Sequence, residues 1–184
     1  MFMANTDVQR WTRADLLRLP DDGNRYEVLD GALLVTPPPA GLHQFSATRL
    51  AVALSLYCDQ HGIGVVLGPS AVVWDDSELQ PDVAVVPCTA AFFAAHDWKD
   101  YPRPLLVVEV ASPSTRRRDV ALKRKTYLDI GIPTYWIVEP ERGQVVVIRP
   151  NADDVLVTDV LEWRPVESLP PLQIRVADFT LPPP

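Results

Sequence analysis

Two apolar runs, Val83–Val86 and Leu105–Val108, limit the folds open to this chain. Each is too short for a helix and lacks the polar alternation of a strand with one wet face. Both therefore predict central strands of a sheet covered on both sides. Each run also abuts an acid. Asp82 opens "PDVAVVP", and Glu109 follows five apolar residues in "PLLVVEVASPS". A carboxylate buried without a partner costs several kcal/mol or more, so both strands need compensating charge or hydrogen bonds where their acids meet the core.

The remaining patterns build a mixed architecture around these strands. "TRADLLRLP" predicts a short helix over 12–20, with Thr12 as N-cap and Asp15 three residues on. Asp30-Gly31 lies between two β-like runs and is a strong two-residue hairpin signal. Helical spacing of Leu50, Leu54, Tyr57 and Cys58 predicts a helix from about 40 to 60, ended by His61-Gly62. Strands are expected in "VVL", "SAVVWDD", "TYWIVEP", "GQVVVIRP" and "DVLVTDVLEW". A short helix falls near 88–95, a second long one over about 116–130, and a last short strand at a sheet edge. Asp75, Asp76 and Glu78 read as loop chemistry. Hairpins and strand–helix–strand connections occur together, which predicts a single α/β or α+β domain over 1–184: a mixed sheet flanked by helices.

Composition narrows the function. Seventeen basic against 24 acidic side chains give a net charge of −7, which excludes coating nucleic acid by bulk electrostatics but leaves room for a local basic patch. Cys58 and Cys88 lack metal-ligand spacing and are expected as buried reduced thiols. Neither a signal-peptide pattern nor a membrane-spanning run is present, so a cytoplasmic protein is expected. GxSxG, Walker, HExxH and EF-hand patterns are missing.

The strand acids are then the strongest candidates for chemistry. On neighbouring central strands Asp82 and Glu109 come within a few ångströms, and two like charges there repel unless a cation intervenes. Mg²⁺ (or Mn²⁺) suits such a pair, completing its shell with water and substrate phosphate. Asp82 alone reads equally as a turn or capping residue after Pro81; for Glu109 the alternative, a salt bridge to a buried arginine, is the weaker one because buried acids in strands tend to mark sites. Glu27, in "YEVLDG", is either a further metal carboxylate or a solvent-facing strand residue. Arg116–Lys125 holds six basic residues and one acid, mostly a solvated face. Lys123 differs: helical geometry sets it among Val120, Tyr127 and Ile130 on an inward face, while Lys125 points away. Asp119, Lys123 and Tyr127 form a stripe that reads as an ordinary helical ion pair or as a lysine aimed at a scissile phosphate.

"QPDVAVVP" and "LLVVEVASPSTRRRDVALKRKTYLDIGIPTYWIVEPE", with "YEVLDGALLVTPPPAGLHQFSATRL" upstream, resemble the Uma-two family of the PD-(D/E)XK nuclease superfamily. The likeness covers about 10–150 and is most specific over 105–141. It implies a restriction-endonuclease-like fold and Mg²⁺-dependent hydrolysis of DNA phosphodiester bonds. It makes Asp82 the acid of the "PD" half, Glu109 the second acid, and Lys123 a lysine that has migrated from position 111, here alanine. Glu27 matches an acid of the family's first hairpin and joins the expected metal set. His43 matches a histidine opening the first long helix, where it binds substrate or caps the helix. Arg116, Arg117 and Tyr127 complete the expected substrate-binding set, and Arg118 and Arg124 are further candidates for backbone phosphates. DNA is the expected partner, with a homodimer suited to cutting both strands. The alternatives are a catalytically silent nucleic-acid-binding or regulatory module on the same fold, and a structural, oligomerising domain.

Overall fold

The computed structural model describes residues 10–111 and 118–180, in two compact units. The first comprises the chain up to Pro38 together with Val73–Leu79; the second comprises Pro39–Val72 and Gln80 onward.

In the first unit, the Asp15 carboxylate accepts from both the backbone N–H and the hydroxyl of Thr12 and so fixes the start of α1 (Arg13–Leu16). The helix is shorter than the pattern over 12–20 predicts. β1 (Arg25–Leu29) and β2 (Ala32–Thr36) form the expected hairpin, with Leu29 paired to Ala32. Asp30 and Gly31 both have positive φ, 51° and 87°, as a tight two-residue turn between right-twisted strands requires. β5 (Ser77–Leu79) joins the other side of β1, with β4 (Val72–Trp74) beyond it. Glu78 is therefore a strand residue rather than a loop acid. Arg13 Nε donates to it at 2.9 Å, a partner 65 positions away that local pattern does not reveal.

The second unit centres on a six-stranded mixed sheet in the order β10-β9-β8-β7-β6-β3. Its strands are β3 (Gly64–Leu67), β6 (Val83–Pro87), β7 (Leu106–Val110), β8 (Tyr135–Glu139), β9 (Gln144–Ile148) and β10 (Val155–Val157). β7 and β8 run parallel and the other pairs antiparallel. The two apolar runs are thus adjacent strands, β6 and β7, inside the sheet. Alternation divides their side chains. Val83, Val85, Val108, Val110, Trp136 and Val138 face α2 (Gly41–His61), packing with its Ala47, Leu50, Leu54, Tyr57 and Cys58. A fully buried leucine such as Leu54 contributes about 1.5–3 kcal/mol there. Gly62 ends α2 in the left-handed region at φ 62°, its N–H bonding the Cys58 carbonyl.

The opposite face carries Val107, Glu109, Tyr135 and Ile137 and is met by α4 (Arg118–Asp129). α3 (Ala90–Ala94) lies between β6 and β7 in sequence. The "DVLVTDVLEW" stretch separates into two sheets. β10 edges the large one, whereas β11 (Val160–Trp163) pairs with β12 (Leu172–Arg175). The last strand is therefore half of a two-stranded ribbon rather than an edge of the main sheet. α5 (Ala177–Thr180), too short to leave a periodic signal, follows and buries Phe179 in the α2 core. Both cysteines are free, but only Cys58 is buried; Cys88, expected inside, is exposed.

Candidate active site

The β6–β7 register builds the site. Val83 pairs with Val108 and Ala84 with Val107, so Asp82, one residue before β6, falls across from Glu109. Both acids are nearly excluded from solvent, at 4% and 7% exposure. The backbone gives Asp82 a second duty. Ala111 N–H bonds the Val138 carbonyl of β8, so Val110 N–H points the other way, past the last paired residue of β6. Asp82 Oδ2 accepts that N–H at 2.7 Å. The carboxylate thereby continues the ladder where the β6 backbone has left it, so the capping role and the site position coincide in one residue.

His43 meets the same oxygen. It lies in the first turn of α2, and its Nε2 is 3.1 Å from Asp82 Oδ2. Ala40, not His43, is the N-cap, and it makes no side-chain capping bond at that end. His43 Nδ1 is buried with no hydrogen-bond partner among the described residues. The imidazole thus touches the site acid instead of satisfying the helix terminus.

Glu109 is held from α4. Lys123 Nζ donates to Glu109 Oε1 at 3.0 Å, and Tyr127 Oη donates to the same oxygen at 2.9 Å. Residues four apart share a helix face, which brings both donors to one atom. Lys123 is 4% exposed and Tyr127 wholly buried. A buried ion pair is tolerated when further hydrogen bonds complete it, and the tyrosine supplies one. Tyr135, which the sequence does not single out, packs its ring 5.0 Å from that of Tyr127. Only the β7–β8 register, placing Tyr135 beside Val107 on the Glu109 face, could have flagged it.

Arg124 and Lys125, farther along α4, turn elsewhere. Arg124 makes a two-pronged contact with Asp154, and Lys125 pairs with Asp129. Arg116 and Arg117 lie outside the described residues. Glu27 belongs to the first unit, where it is fully buried in β1, not solvent-facing, with Arg25 Nε 3.9 Å from its Oε2. Among the described residues no three His, Cys, Asp or Glu side chains converge into a ready-made metal cage. Two hard carboxylates on adjoining strand ends nevertheless fit Mg²⁺, which keeps several waters and takes one or two protein acids.

Comparison with known families agrees with the resemblance read from residues 105–141. The family model Uma2, described as "Putative restriction endonuclease", matches residues 13–179. The chain belongs to this family. The fold is that of a solved "putative nuclease belonging to DUF820 from Anabaena variabilis", with a TM-score of 0.75 over 92% of this chain and 97% of that one. Sequence identity is 17%, so this likeness is one of fold. No curated protein matches the sequence. Among the described residues no helix is long and apolar enough to cross a membrane.

Proposed function

We propose that this Uma2-family chain is a metal-dependent endonuclease that hydrolyses DNA phosphodiester bonds at Asp82, Glu109 and Lys123, in the cytoplasm and as a homodimer. The observation that carries the reading is the meeting of these three groups: two buried acids in register across β6 and β7, with a buried lysine on one of them. Asp82 and Glu109 would hold Mg²⁺ or Mn²⁺, which supplies a polarised water and neutralises phosphate charge. Val110 N–H and His43 fix the Asp82 oxygen they contact. Lys123 brings positive charge to where negative charge grows on the scissile phosphate, and α4 holds it there before substrate arrives. Asp82, Glu109 and Lys123 are all nearly excluded from solvent, which strengthens that interaction relative to one in bulk solvent.

One observation favours the second reading, a silent DNA-binding module: each acid is engaged by protein donors, Asp82 by Val110 N–H and Glu109 by Lys123 and Tyr127. Plasmid nicking in Mg²⁺ and in Mn²⁺ separates the two. The test pairs wild type with Asp82→Asn, Glu109→Gln and Lys123→Met. The nuclease reading expects metal-dependent nicking that falls by about 10²-fold or more in each variant. Inert wild type that still binds duplex DNA would favour the silent module.

A further inference from the structure

We propose that Tyr127 is a positioning residue whose hydroxyl sets the Glu109 carboxylate in the orientation that receives the divalent cation. This deepens, and rests on, the metal-site reading above. A substrate contact requires surface, and Tyr127 has none. Its hydroxyl instead reaches Glu109 Oε1, the oxygen that Lys123 also holds.

The terminal torsion of a glutamate is broad, so a single donor leaves the carboxylate plane able to swing about that contact. A second donor, arriving on the same oxygen from one helical turn away, removes that freedom. The two donors are held differently. A lysine ends in a flexible four-carbon stem with three rotatable donors. The tyrosine has two torsions and is braced by the Tyr135 ring, itself set by the pairing of Tyr135 with Val107 two residues before Glu109. Support therefore runs from β8 through Tyr135 and Tyr127 to the acid. Charge also favours a phenol here. Lys123 already brings one positive charge to Glu109, and a second cationic side chain would repel the incoming metal ion, whereas a neutral O–H orients the acid without opposing it.

The test measures Mn²⁺ affinity by calorimetry for wild type, Tyr127→Phe and Tyr57→Phe, with thermal unfolding and metal-dependent nicking of each. Tyr127→Phe keeps the ring against Tyr135 and deletes only the hydroxyl. Tyr57→Phe deletes another hydroxyl, bonded to the Pro170 carbonyl at 2.6 Å on the α2 side, and controls for general loosening. The expected result is Mn²⁺ binding weakened about 10-fold in Tyr127→Phe alone, with a matching rise in the metal concentration for half-maximal nicking. Unchanged Mn²⁺ affinity in Tyr127→Phe overturns the proposal. A raised KM for DNA at constant metal affinity also overturns it, by making the residue a substrate contact. Melting far below Tyr57→Phe assigns the hydroxyl to folding and overturns it as well. Wild type that binds no Mn²⁺ defeats the metal-site reading and this inference together, whereas binding by wild type with no Tyr127→Phe effect defeats this inference alone.

Discussion

Deleting the Asp82 side chain and deleting only its charge are different experiments. Asp82→Ala leaves Val110 N–H buried without its acceptor, while Asp82→Asn retains an oxygen for it. An orphaned buried donor costs about 1–3 kcal/mol, so Asp82→Ala is expected to unfold at lower urea than Asp82→Asn by that margin, with nicking lost in both. Equal midpoints would show that the ladder does not depend on this oxygen. A second residue sets a pH limit. Burial in the α2 core, with Asp59 adding to the effect, pushes the Cys58 thiol up to about 11 from 9.0. The unfolded chain therefore releases a proton near pH 9 that the folded chain keeps until about 11. The contribution is intact below pH 9 and is lost as pH climbs through that window. Urea unfolding at successive pH values should show this alkaline loss, and Cys58→Ala should reduce it. A thiol reagent at pH 8 should modify Cys88 in the native protein and reach Cys58 only on unfolding.

Elements were legible where their signals are local. Asp30-Gly31 announces the β1–β2 hairpin because its positive φ angles suit those residue types, and Gly62 marks the end of α2 for the same reason. The inward face of Lys123 follows from helical angle alone. Elements defined by distant partners were not legible: β5 depends on pairing with β1, and α5 is a single turn stabilised by what Phe179 buries. The site divides in the same way. Glu109 stands out because an acid interrupts an apolar run, but its bond from Tyr127 spans 18 positions and emerges only once β7 and α4 are packed. Strand register also makes one glycine critical. Gly64 in β3 lies opposite Pro87, and a Cβ there would sit 2.4 Å from the Val86 carbonyl oxygen. Backbone cannot yield as a side-chain tip can, so Gly64→Ala should cost about 1–3 kcal/mol, read as a lowered urea midpoint. An unchanged midpoint would mean that β3 shifts freely at the sheet edge.

At the scale of the whole molecule, the proposed activity requires a chain of net charge −7 to approach a polyanion. The basic helix looks like the answer in sequence, but packing removes much of its apparent charge. Lys123 is paired with Glu109, Arg124 with Asp154, and Lys125 with Asp129. If DNA is the substrate, attraction must come largely from the metal ion and from cations such as Arg116 and Arg117, which the basic run of the sequence offers as phosphate contacts. Salt dependence separates these sources, because each phosphate neutralised by protein adds about 0.9 to the slope of log affinity against log salt. Fluorescence anisotropy with a labelled duplex, in an inactive Glu109→Gln background at fixed metal, gives that slope. Arg116→Ala and Arg117→Ala should each lower it by about 1, whereas Arg124→Ala should leave it unchanged because Asp154 already engages that guanidinium. The reverse pattern would move the phosphate contact to Arg124 and require its pairing with Asp154 to open when DNA binds.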